Sequence, residues 1–87
     1  MKRKLTASQM IERERQRIER KRERFIRRAT VTAAHILEDD DYKRGAQSAG
    51  KYCYWQDEQL IAIVRKLEAD GVRHINIPRM AVARYCS

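Results

Sequence analysis

Apolar positions in the first third of the chain recur at helical spacing. On a wheel of roughly 100° per residue, Ala7, Ile11, Ile18, Phe25, Ala29 and Ile36 fall within about 40° of one another. They form one narrow stripe. Nearly opposite lie Arg13, Arg17, Arg20, Arg24, Arg27 and Arg28, with no acid among them. Glu12, Glu19 and Glu23, with Gln16, fill a strip along one flank. A random order of Arg and Glu would rarely sort this way, so the pattern predicts a helix with a dedicated basic ridge.

The helix start is marked twice. Thr6-Ala7-Ser8-Gln9 matches a capping box, with Thr6 as N-cap and Gln9 at N3, and Leu5 and Met10 can close a hydrophobic staple over it. Residues 1–6 are then a mobile basic lead-in. The β-branched run Thr30-Val31-Thr32 could break the helix, but the stripe passes through it in phase to Ile36. The run Glu38-Asp39-Asp40-Asp41 sits badly with the negative end of the helix dipole, so the expected helix covers 7–38. At that length it would run to roughly 46 Å. Apolar content rises only beyond Phe25, so the last third is expected to dock while the first two thirds project.

Residues 39–87 are expected to form a small helical base, the whole chain being one domain. Asp57 caps a second helix over about 58–70, with Gly71 past its end and Leu60, Ile63, Val64 and Leu67 on its buried face. Pro78 opens a last helix, 78–86, in which Met80, Val82, Ala83 and Cys86 can pack. Between these lie two segments with strand-type residues, Tyr52 to Trp55 and Val72 to Ile77, which could pair as a minor two-stranded β element. The fold class is mostly α.

Charge sharpens this picture. Residues 1–30 hold twelve Lys and Arg against four Glu, a surplus equal to the net charge of +8, and the remainder is neutral. That asymmetry favours an interaction arm on a compact base and an acidic partner. Eighty-seven residues allow only a small core. The basic N-terminus has no apolar run behind it, so no signal peptide or membrane span is expected and the chain reads as cytoplasmic. Cys53 and Cys86 are then expected to be free, small buried thiols rather than a disulfide.

No catalytic signature is present, and an enzyme is not expected. His35, Cys53, His74 and Cys86 lack the close ligand pairs of zinc sites, and Asp39 to Asp41 lack EF-hand spacing, so no metal or other cofactor is expected. The ridge carries the best case for function. Its arginines run along about 21 Å of helix between Arg13 and Arg27, always charged and able to grip phosphate bidentately. Such a line can track the backbone of RNA or DNA. In composition the segment resembles the arginine-rich peptides of phage antitermination proteins. The expected function is a small phage-type accessory protein that binds nucleic acid through the arginine ridge.

The stripe points to a second class. On the projecting part it consists of Ile11, Ile18 and Phe25, one residue per heptad, too sparse for a coiled-coil seam. That spacing suits docking into a groove of a larger protein complex, as an inhibitor or adaptor, with an acidic protein surface as partner. Tyr52, Tyr54 and Trp55 are either the aromatic core of the base or a contact surface.

Overall fold

The computed structural model describes residues 6–47 and 49–87, and among these the fold is all helical. Helix α1 is Ala7–Lys43, α2 is Glu58–Ala69 and α3 is Ile77–Cys86. The 37 residues of α1 span about 55 Å. The capping box at its start is formed: Gln9 N donates to Thr6 Oγ1 at 3.2 Å, and Thr6 N donates to Gln9 Oε1 at 3.1 Å. The basic lead-in and the Leu5 half of the staple lie outside the described residues.

The helix runs five residues past its expected end at position 38. Its acidic run is neutralised locally and from a distance. Lys43 pairs with Asp39 at 2.9 Å, while Arg44 and the Tyr54 hydroxyl both donate to the buried Asp41. Three cations and donors thus offset the dipole clash that was expected to stop α1. The Thr30-Val31-Thr32 run stays helical, with Thr30 buried in the docked face and both threonine hydroxyls satisfied one turn back, at Ile26 O (2.7 Å) and Arg28 O (3.0 Å).

Helix α1 ends instead in a Schellman motif. Gly45 takes φ +66°, Ala46 N donates to Asp41 O, and Gly45 N donates to Tyr42 O. The same device ends α2, with Gly71 at φ +79° and Val72 N donating to Leu67 O. Asp57 caps the start of α2, its Oδ1 accepting from Gln59 N at 2.8 Å.

The core is small and aliphatic. Leu60, Val64 and Leu67 of α2 and Ile77 and Ala81 of α3 pack on Ile26, Ala29, Ala33, Ala34 and Leu37 of α1. Alanines at these contacts let the helices approach closely. Ile61 and Ile63 are only partly buried. In α3 the buried residues are Ile77 and Ala81, with Val82 and Tyr85 partly covered. Met80, Ala83 and Cys86, expected to pack, are exposed because the face of α3 turned to α1 and α2 is set by Ile77 and Ala81.

The expected β element does not form among the described residues. Tyr54–Gln56 and His74–Asn76 are single 3₁₀ turns, closed by Asp57 N to Tyr54 O at 3.0 Å and Asn76 N to Arg73 O at 2.9 Å. Each segment closes on itself in a tight turn, so neither is extended enough to pair in a ladder. Within the second segment Ile75 is 82% exposed, while Ile77 is buried.

Candidate functional site

Every residue from Thr6 to Arg24 is exposed, so the first half of α1 projects as an arm. Two ion pairs brace its root against α2. Arg65 holds the Glu23 carboxylate with both terminal guanidinium nitrogens, and Arg22 Nε donates to Glu68 at 2.6 Å. The Arg65 hydrogen bonds keep the Glu23 carboxyl below its ordinary range.

The face of α1 that docks is not the apolar stripe. Ile26, Ala29, Thr30, Ala33, Ala34, Leu37 and Asp41 are buried, and on the wheel they centre roughly 100° away from the Ile11–Ile18 line. They lie instead in register with Glu12, Glu19 and Glu23. The acidic strip therefore continues the docked face outward along the arm. The stripe is left at its edge, with Ile11 61% and Ile18 58% exposed. Only Phe25, of the three arm stripe residues, meets the base, stacking on His74 with ring centroids 3.7 Å apart.

The ridge is turned away. Arg13, Arg17, Arg20, Arg24, Arg27 and Arg28 are all exposed and centre roughly 130° from the docked face. Among the described residues the salt bridges use Arg22, His35, Lys43, Arg44 and Arg65, and none uses a ridge arginine. Arg13, Arg17, Arg20 and Arg24 line one continuous depression with Gln16 and Lys21. Glu19 and Glu23 border the ridge along one flank beside Arg20, Arg24 and Arg27, and no acid interrupts the line of arginines itself.

The aromatic residues divide. Tyr54 is half-buried, meeting Tyr52 edge-on at 4.9 Å and Tyr85 at 6.0 Å. Tyr52 and Tyr85 both donate to Asp57 Oδ2, at 2.7 and 2.6 Å, so the cap of α2 also ties down α3. These phenols hold the Asp41 and Asp57 carboxyls below their ordinary range, Tyr54 acting on Asp41 and chiefly Tyr85 on Asp57. The carboxylates in turn push the phenols up, Tyr54 to about 12. Trp55 takes no part in this rim and is 52% exposed.

Trp55 instead walls an open groove of about 740 Å³ between α1 and the start of α2. Ile26, Val31 and Ile61 give it an apolar lining, and Arg27, Arg65 and Glu58 edge it. Sequence reasoning placed Trp55 among core or contact residues but missed the groove and Arg65. The only signal was a tryptophan beside an N-cap.

The remaining candidates do not converge. His35 lies beside Glu38, His74 is taken by Phe25, and Cys53 and Cys86 are free and exposed rather than buried. Among the described residues no three His, Cys, Asp or Glu side chains are placed to hold a metal ion. No described helix is long and apolar enough to cross a membrane. Comparison with protein-family models, with curated proteins and with solved structures gives no match.

Proposed function

We propose that this chain is a non-enzymatic accessory protein of the cytoplasm that binds RNA or DNA through the arginine ridge. The observation that carries the reading is the state of those six arginines, all exposed and outside the ion pairs among the described residues. Each phosphate neutralised releases condensed counterions, the main source of affinity for such a face. A helix braced at its root presents the guanidiniums already in line, which lowers the ordering cost of binding. The test is salt dependence. Replacing Arg17, Arg20 and Arg24 with Gln should weaken binding uniformly across sequences and flatten the salt slope by roughly 0.7–0.9 log units per lost contact. Loss for one sequence alone, with the slope unchanged, would defeat backbone tracking.

A second reading has its own support. Ile11 and Ile18 stay exposed on the arm, one per heptad, uncovered by the described residues of the base. On that reading the arm docks onto a larger protein complex as inhibitor or adaptor, with Ile11 and Ile18 as anchors and the ridge meeting an acidic surface.

A further inference from the structure

The groove beside Trp55 is not a separate feature of the surface. Arg27 belongs both to its edge and to the ridge. A trough lined by Gln16, Glu19, Arg20, Glu23, Arg24 and Arg27 adjoins the ridge and shares Glu23 and Arg27 with the groove. The groove itself differs in chemistry from the ridge. Its walls are the chain's single tryptophan, Val31 and Ile61, an apolar surface with a flat aromatic face.

We propose that this groove receives an unpaired base of a single-stranded nucleic acid whose backbone continues along the arginine ridge. The inference rests on the ridge reading and names the form of nucleic acid that the site takes. A half-exposed indole offers a face on which any base can stack. Ile26, Val31 and Ile61 supply the rest of the apolar enclosure, and Arg27 stands where the attached phosphate must leave. Of the two carboxylates at the groove, Glu23 is occupied by Arg65 and does not repel the backbone. Glu58 is left at the edge, able to accept from a base's exocyclic amine. In a continuous duplex the bases are stacked and paired inside, and none can enter a recess of this kind. Single strands and hairpin loops are therefore preferred over duplex, and a polyanion without bases engages the ridge alone.

The experiment uses the whole chain and three probes: single-stranded RNA or DNA of mixed sequence, a duplex of the same length, and inorganic polyphosphate. Trp55 is the only tryptophan, so its fluorescence reports on the groove directly. Single strand is expected to quench it, and polyphosphate to bind without quenching. By anisotropy of a labelled strand, Trp55→Ala should weaken single-strand binding roughly 5- to 150-fold, the loss of one stacked base. It should leave polyphosphate affinity unchanged, and Trp55→Phe should restore most of the loss. A single strand that binds through the ridge without quenching Trp55, and as tightly after Trp55→Ala, overturns the groove assignment and leaves the ridge reading standing. Absence of ridge-dependent binding to any probe overturns both.

Discussion

Phe25 and His74 stack with their ring planes 17° apart, and this contact marks where the arm of α1 meets the base. One heptad earlier the stripe residue Ile18 has no such partner. The two residues share a wheel position and differ in energetic role. Phe25→Ala should destabilise the fold by about 1–3 kcal/mol, less than the 3–5 kcal/mol typical of a fully buried phenylalanine. Ile18→Ala should stay within about 0.5 kcal/mol of wild type. Urea unfolding measures both, and equal losses at the two positions would mean that the arm is covered in solution.

The tyrosine–carboxylate rim should make stability depend on pH at both extremes. Asp41 and Asp57 have folded pKa values below their unfolded ones, because Tyr54 and Tyr85 donate to the ionised forms. Their contribution is therefore complete above the unfolded value near about 4 and is lost as pH falls through the folded values. Tyr54 is raised to about 12 by its bond to Asp41, and Tyr52 and Tyr85 are raised by Asp57. That contribution is complete below about pH 10 and is lost as pH rises through the folded values. Tyr54→Phe should shrink both limbs. Urea midpoints that stay flat from about pH 6 to pH 3 would sink the argument.

Stability should also be uneven along α1. Amides of residues 10–21 close their helical hydrogen bonds in solvent, whereas those of residues 26–37 lie against the core. Hydrogen exchange should be fast in the first segment and slow in the second. Thr6→Ala removes a formed cap worth about 0.5–2 kcal/mol, and the loss should appear as lower helicity and faster exchange in the first turns, with the thermal midpoint little changed. A drop in that midpoint of several degrees would show that the arm folds as one unit with the base.

Local signals were the legible ones. Thr6 and Gln9, Asp57 and Gly71 are caps whose meaning depends on neighbours within four residues, and the helices begin and end there as their chemistry requires. The end of α1 was misread because Asp41 is stabilised by Tyr54, thirteen residues on, which no local dipole argument contains. Which face of α1 docks was not legible, for a related reason. Thr30, Ala33 and Ala34 line it, and small residues give a weak apolar signal beside Ile11 and Ile18. The ridge arginines were legible as a face, because a helix wheel needs only the sequence. Which side the base would occupy was not, and that side decides that the ridge is open. Tyr85 and Arg65 draw their roles wholly from partners on other elements.

The two functional readings part at one pair of substitutions. Ile18→Asp leaves the ridge intact, since the two lie well apart around the helix, but places a carboxylate in the exposed stripe. A ridge that binds nucleic acid should lose at most a few tenths of a kcal/mol of affinity, the usual effect of a surface change. An arm anchored in a protein groove through Ile11 and Ile18 should lose several kcal/mol, because the new charge would be buried without a partner. Arg20→Glu should act in the opposite sense, reversing charge at the middle of the ridge and sparing the stripe. Leu60→Asp is the control, for Leu60 is fully buried and its replacement should unfold the base on either reading. If Ile18→Asp, still folded, abolishes a nuclease-resistant complex, the nucleic-acid reading falls. If it binds RNA or DNA as wild type does while Arg20→Glu does not, the adaptor reading falls instead.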